Sequence, residues 1–214
     1  MKKTADPERC LAEGLEQLQL DPSLSASLLI YLDELGKWNR TYNLTSVRDP
    51  MQMVTRHVLD SLSMLPALDE LDLRAPLLDV GSGAGLPGLI LAKARPQLAV
   101  HVVDSNGKKA RFLRHIQRRL HLENVEVFEC RVEDMASEFV YGAVTSRAFS
   151  SLAQFFDATR HLLSADGHWL AMKGRVNDNE LSEIPATVCV QRLVRLHVPG
   201  LSEERHLVLA SPSP

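Results

Sequence analysis

The stretch that decides the fold is "LLDVGSGAGLPGL", residues 77–89, in which an apolar run is followed by glycines at alternate positions and then by Pro-Gly. Glycines that close a buried strand and open a helix let backbone N–H groups approach a ligand, and the helix start favours a nucleotide-like group. Downstream, short β-branched runs alternate with helical ones: "AVHVVD", "VEVFEC", "GAVTS" and "HWLAMKG" are strand-like, and residues 107–121 make a helix between two of them. Such alternation predicts an α/β fold whose parallel sheet is covered by helices on both faces. Near the end, "TVCVQRLVRLHVPG" and "ERHLVLAS" follow each other across a short turn and predict a terminal antiparallel strand pair; only the final "SPSP" reads as disordered.

Residues 1–65 read differently. Leu11, Leu15 and Leu18, then Leu24, Leu28, Leu32 and Leu35, recur at helical spacing, with Asp21-Pro22-Ser23 between the runs. A third helix is expected over "PMQMVTRHVLDSLSML", with Asp49 as cap and Pro50 at its first position. The chain of 214 residues therefore divides into an N-terminal helical extension, 1–65, packed on a core domain, 66–214.

Gly83-Ala84-Gly85-Leu86-Pro87-Gly88 satisfies G-x-G-x-x-G, and Asp104 ends the next strand where a ribose-binding acid is expected, so a dinucleotide such as NAD fits the spacing. Two residues favour a cofactor without phosphates, such as S-adenosylmethionine (SAM). Asp79 lies in the first strand and would repel a pyrophosphate, whereas Pro87, expected in the first turn of the next helix, removes an N–H that a phosphate could use. Asp104 alone would serve equally as a cap for the helix starting near Gly107. In a doubly wound sheet the loop "RVED", 131–134, borders the same crevice as Gly81 and Asp104, or simply caps a short helix.

The net charge of −3 leaves nucleic-acid binding to local basic patches. "GKKARFLRHIQRRL" supplies one, with Lys108, Lys109, Arg111, Arg114, Arg118 and Arg119 largely opposite the apolar face of Phe112, Leu113, Ile116 and Leu120. A solvated helix face is the alternative meaning. Three scattered cysteines, Cys10, Cys130 and Cys189, give neither a disulfide framework nor a metal-ligand spacing. With no signal-like or membrane-spanning apolar run, the expected location is the cytoplasm.

The segments "YNLTSV" (42–47), "RHVLDSL" (56–62), "LLDVGSGAGLPG" (77–88), "VTSRAF" (144–149) and "MKG" (172–174) together resemble the RsmG (GidB) family of bacterial 16S rRNA guanine-N7 methyltransferases. The resemblance spans nearly the whole chain. It implies a class I (Rossmann-like) methyltransferase sheet and SAM as methyl donor. The implied acceptor is a guanine of 16S rRNA in the small ribosomal subunit or an assembly intermediate, and the expected enzyme is a monomer without membrane association. SAM contacts carry over to Gly81, Gly83 and Leu86 in the glycine turn, Asp104, Val132 and Glu133, and Arg147 of "SRAF".

Substrate-side candidates are Arg56 and His57, which lie within one helical turn of Asp60, with Lys173, Arg175, Lys108 and Arg111. No metal is expected. Guanine N7 has a free lone pair, so attack on an electrophilic methyl needs no general base, and no nucleophile or catalytic dyad is apparent. The stretch "TSRAFSS" lacks both the Asn/Asp-Pro-Pro-aromatic loop and the Pro-Cys nucleophile of other base methyltransferases. An NAD-dependent oxidoreductase, and a non-catalytic RNA-binding or SAM-sensing protein, remain as alternatives. The former lacks a hydride-transfer constellation such as Tyr-x-x-x-Lys.

Overall fold

The computed structural model describes residues 6–136, 140–147, 149 and 151–213. Helices α1 (Pro7–Gln17) and α2 (Leu24–Tyr42) precede α3 (Pro50–Met53), a π turn (Val54–Leu59), α4 (Asp60–Leu62) and α5 (Leu65–Asp69). The alternating region follows as β1 (Leu77–Val80), α6 (Gly88–Ala94), β2 (Val100–Val103), α7 (Gly107–Arg119) and β3 (Val125–Phe128). It continues with β4 (Tyr141–Ser146), α8 (Leu152–Thr159), β5 (Leu163–Lys173), α9 (Asp178–Ser182), β6 (Val188–Arg195) and β7 (His206–Pro212).

Among the described residues one seven-stranded sheet has the order β3-β2-β1-β4-β5-β7-β6. β1 to β5 pair in parallel, and β7 runs antiparallel to both β5 and β6. β1 is central and buried at all four positions, as expected of a strand covered on both faces. One apolar layer joins α1, α2, α6 and α7 residues such as Leu15, Leu35, Leu89 and Phe112 to one face of the sheet. The other places Phe155, Phe156 and Trp169 against Leu78 and Val144. No helix among the described residues is long and apolar enough to cross a membrane.

Three local expectations change. The segment 50–62 is helical and Asp49 does accept from the Gln52 N–H at 2.9 Å, but a π turn interrupts it. That wider turn adjusts which side chains face the core, and a regular helical period cannot reveal it. The end of the chain is ordered through Ser213, whose N–H donates to the Thr187 carbonyl at 2.8 Å, with Ser211 and Pro212 inside β7. Edge pairing with β6 supplies the backbone partners that composition alone does not suggest; Pro214 lies outside the described residues. β6 and β7 are separated not by a tight turn but by residues 196–205, closed where the Leu196 N–H donates to the Arg205 carbonyl at 2.8 Å.

Candidate active site

The glycine turn runs from the carboxyl end of β1 to α6. Gly81, Gly83 and Gly85 all have positive φ, at 67°, 57° and 83°, a backbone region costly to residues with a Cβ. Gly88 has a different reason to be glycine. A Cβ there would lie 2.8 Å from Asp79 Cβ and Oδ2 and from Val102 Cγ1, so its absence lets the start of α6 close onto β1. The N-terminal helices brace the turn from outside, since the buried Tyr31 hydroxyl of α2 donates to the Ala84 carbonyl at 2.8 Å.

Asp79 is fully buried, and its Oδ2 accepts from the Gly88 N–H at 2.9 Å. Burial pushes its pKa up to about 6, against the lowering effect of that N–H. Its carboxylate is therefore turned onto the helix start and does not face a ligand, which corrects the expectation of direct repulsion. The distinction from a dinucleotide site survives in another form. Pyrophosphate binds at the helix N-terminus of such folds, but here Asp79 occupies that donor, and Pro87, sitting at the N-cap just before the first turn, has none to offer.

Asp104, only 6% exposed, accepts from the Gly83 N–H at 3.0 Å through Oδ2 and from the Asn106 N–H at 2.9 Å through Oδ1. The cap of α7 is Asn106, so Asp104 is released from that alternative. An ionised carboxylate accepts at about four lone-pair positions, leaving capacity for a ligand diol. Asp104 lines a cavity of about 290 Å³ with Gly81, Lys109, Val132, Glu133 and Phe149. The loop after β3 thus borders the same crevice as the glycine turn, with Val132–Asp134 forming a single 3-10 turn.

That cavity shares Gly81 and Lys109 with a second, of about 230 Å³, bordered by Thr45, His57, Gly83, Leu86 and Arg147. His57 and Arg147 in turn line a third, of about 350 Å³, with Arg56, Asp60, Lys173 and Arg205. The three make one trough along the carboxyl edge of the sheet, the place where open α/β sheets bind ligands. A larger cavity of about 450 Å³ lies among α1, α2 and α3, lined by residues such as Leu29, Leu32 and Met53, away from that edge.

Arg147 is fixed at the junction of the second and third cavities. Its Nη1 donates to Asp60 Oδ2 at 2.8 Å and to the Arg56 carbonyl at 3.1 Å. Asp60 Oδ1 faces Arg205 Nε at 3.2 Å, so one buried carboxylate holds two guanidinium groups. Burial pushes the Asp60 pKa up, and the two arginines oppose it. His57 is buried, with Nε2 2.9 Å from Thr45 Oγ1, and burial followed by the Arg147 charge pushes its pKa down to about 4. Its imidazole is neutral at physiological pH and suited to packing, not to proton transfer.

The candidates therefore separate. Gly81, Gly83, Leu86, Asp104, Val132, Glu133, Arg147, Arg56, His57 and Lys173 share the trough. Lys173 also forms an ion pair with Glu180 at 2.6 Å, and Arg56 pairs with Glu203. Arg175 is exposed, 3.6 Å from Glu204, and Lys108 and Arg111 lie on the outer face of α7; none of these three borders the cavities. Sequence reasoning missed Arg205, Tyr31 and the position of Lys109. Lys109 turns inward to 3.5 Å from Asp104 although Lys108 beside it is exposed; its place in the first turn of α7 was the available signal. Ala148 and Ser150 of "TSRAFSS" lie outside the described residues. Among the described residues no group of three or more His, Cys, Asp or Glu could hold a metal ion.

A parallel sheet with antiparallel β7 inserted between β5 and β6, a glycine turn after β1 and an acid at the end of β2 is the arrangement of a class I SAM-dependent methyltransferase. The fold is similar to that of a SAM dependent methyltransferase from Aquifex aeolicus, with TM-score 0.56, 18% identity, and 78% of this chain and 96% of that one covered. It is also similar to MtNAS in complex with MTA and tNA, with TM-score 0.59, 15% identity, and 100% and 84% covered.

Sequence comparison is more specific. The family model for rRNA small subunit methyltransferase G (GidB) matches residues 24–208, and the chain belongs to this family. A ribosomal RNA small subunit methyltransferase G of Xanthomonas axonopodis pv. citri is 48% identical over 204 residues, 95% of this chain and 94% of the relative. That of Methylobacillus flagellatus is 47% identical over 200 residues, 92% and 95% respectively. These matches give the oxidoreductase alternative no support.

Proposed function

We propose that the protein transfers a methyl group from SAM to N7 of a guanine in 16S rRNA, presented by the small subunit or an assembly intermediate. The observation that carries this reading is the continuous trough from Asp104 to the cationic recess around Arg147, in a chain of the methyltransferase G family. SAM, when bound, supplies an electrophilic methyl on a sulfonium. Asp104 would accept from the ribose hydroxyls, Val132 and Glu133 would hold the adenine end, and Gly81, Gly83 and Leu86 would wall the remainder. Arg147 stands between cofactor and base, while Arg56, His57 and Lys173 form the substrate side and Arg175, Lys108 and Arg111 an outer rim.

The chemistry asks little proton transfer of these residues. N7 has no proton to lose, and neutral His57 is not required as a base. Holding two reactants in line contributes about 7 kcal/mol or more, which is the service a rigid turn and a fixed Arg147 provide. In this reading residues 1–65 are an extension that braces the turn and shapes the mouth, and residues 66–214 are the transferase domain. The protein works as a cytoplasmic monomer, which sedimentation and fractionation would check.

Labelled SAM with small subunits, or with 16S rRNA, tests the activity. Transfer is expected with the wild-type chain and is expected to be lost in Arg147→Ala. SAM binding without transfer to any form of the RNA would instead favour the SAM-sensing alternative. A thermal shift with NAD and none with SAM would overturn the cofactor assignment.

A further inference from the structure

The recess behind Arg147 carries more positive charge than its own acids balance. Arg56, Arg147, Lys173 and Arg205 line it together with a single carboxylate, Asp60, and the neutral His57, in a chain whose net charge is −3. Asp60 holds Arg147 at 2.8 Å and Arg205 at 3.2 Å, so one negative charge serves two guanidinium groups, each about one-fifth exposed.

The two remaining cations are balanced from outside the cavity, and differently. Lys173 meets Glu180 at 2.6 Å with both side chains mostly buried, and Glu180 Oε1 also accepts from the Leu152 N–H at 3.2 Å, which fixes it to the start of α8. Arg56 meets Glu203, whose side chain is 47% exposed and has no other ion-pair partner among the described residues. The hydrogen bond from Arg56, reinforced by the charges of Arg56 and Arg205, holds the Glu203 carboxyl below its ordinary range, so it is an anion at neutral pH. Glu203 belongs to the 196–205 connection, which lies against the π turn: a Cβ on Gly200 would stand 3.0 Å from Thr55 Cγ2, and Arg205 reaches Asp60. An exposed ion pair such as Arg56–Glu203 contributes little to stability and gives way readily to another anion.

We infer that the recess is a subsite for a backbone phosphodiester of the RNA strand, with Glu203 standing in its place on Arg56 until RNA arrives. Planar guanidinium forks match the paired oxygens of a phosphodiester, whose single negative charge is what the Asp60 cluster leaves unbalanced. A guanine is neutral and asks for no such surplus. The methionine carboxylate of SAM is the other anion at hand, but no residue of the glycine turn lines the recess, which shares only His57 and Arg147 with the glycine-turn cavity. Phosphate contacts fix the register of a strand, so this subsite sets where the acceptor base lies relative to Arg147. The inference rests on the rRNA reading above and adds to it an anchor and the internal anion that competes for it.

The test sets Glu203→Gln against Arg56→Gln in the full chain. Both lose the same ion pair, so a merely structural bridge predicts that they change alike. The subsite predicts opposite signs: Glu203→Gln binds 16S rRNA up to about 5-fold more tightly, the worth of an exposed ion pair, and Arg56→Gln binds it about tenfold or more weakly, as for a lost hydrogen bond to a charged group. Inorganic phosphate reads the recess without RNA. At equal ionic strength, its stabilisation of the fold relative to chloride is expected to be larger in Glu203→Gln than in wild type and smaller in Arg56→Gln; comparing variants removes the general effect of salts on stability. SAM affinity is expected to be the same in phosphate and in chloride. RNA affinities that move together in the two variants or do not move, or phosphate that displaces SAM, overturn the subsite while leaving the activity assignment standing. A wild-type chain that binds 16S rRNA, with this divergence between the variants, but transfers no methyl group overturns the activity reading and leaves the subsite in place. A wild-type chain that binds neither 16S rRNA nor small subunits overturns both.

Discussion

Replacing Gly88 by alanine probes the junction on which the glycine turn depends. The new Cβ would stand 2.8 Å from three atoms, Asp79 Cβ, Asp79 Oδ2 and Val102 Cγ1, all on fully buried strand residues, and Asp79 Cβ is fixed to the backbone of β1. The start of α6 must back off by several tenths of an ångström, stretching the 2.9 Å bond from the Gly88 N–H to Asp79. Overpacking of a core costs about 1–3 kcal/mol, and weakening a buried hydrogen bond to a charged group about 1.5–3 kcal/mol. Alanine's better helix propensity returns up to about 1 kcal/mol. The net loss is about 2–4 kcal/mol, which for a domain of this size lowers Tm by roughly 5–15 °C. Urea unfolding measures the loss, and calorimetric SAM titration should show at least a tenfold weakening as the turn moves. Gly83→Ala is the control: its Cβ meets nothing nearer than the Gly81 carbonyl at 3.8 Å, so only the strain of φ +57° applies, about 1–2 kcal/mol. A Gly88→Ala loss below about 1 kcal/mol, or one smaller than that of Gly83→Ala, would refute the close-packing account.

Other consequences follow from the same geometry. Because the folded pKa of Asp79 is raised to about 6 from 3.8, the native state holds the extra proton between those values, and stability falls as pH rises through that window. Asp79→Asn should therefore gain about 3 kcal/mol relative to wild type between pH 4 and pH 7, a difference that paired urea titrations would read; a constant difference across the window would contradict the assignment. Asp60→Ala leaves Arg147 and Arg205 facing each other without their shared carboxylate and should cost about 2–4 kcal/mol, discounted for the partial exposure of both arginines. Its methyl transfer should fall further than its SAM affinity. Tyr31→Phe removes the bond to the Ala84 carbonyl and should cost about 1–2 kcal/mol in denaturant unfolding. With His57 neutral above about pH 4, kcat should show no rise governed by an imidazole between pH 6 and 8, which a pH–rate profile would check.

The parallel sheet was legible because buried strands such as "LLDV" and "VHVV" announce themselves by composition, and the antiparallel pair at the end by two apolar runs in succession. The position of β7 between β5 and β6 was not legible, since strand order depends on crossovers that no local pattern records. At the site, the positions of Asp104, Val132 and Glu133 followed from fold logic: strand ends converge on one crevice. The direction in which Asp79 turns did not, because it depends on Gly88 admitting the helix start, a contact between residues nine apart. Arg205 was invisible for a related reason. It enters the recess from a loop with no motif of its own and is identified only by the carboxylate of Asp60 at which it ends. Lys109 and Lys108 are adjacent in sequence, yet one lines the cavity beside Asp104 and the other faces solvent. A helix turns about 100° per residue, so a basic run cannot be assigned to one role as a block.

The central claim is that this trough brings SAM to N7 of a guanine in 16S rRNA. Its most direct test is mass-spectrometric mapping of 16S rRNA after incubation of small subunits or their rRNA with purified protein and isotopically labelled SAM. The account predicts one labelled methyl group at a single guanine, on N7, detectable by the strand scission that reduction of the cationic ring permits, and absent with Arg147→Ala. A label on an exocyclic amine or a ribose, at many scattered positions, or on no nucleotide although SAM is bound, would contradict it.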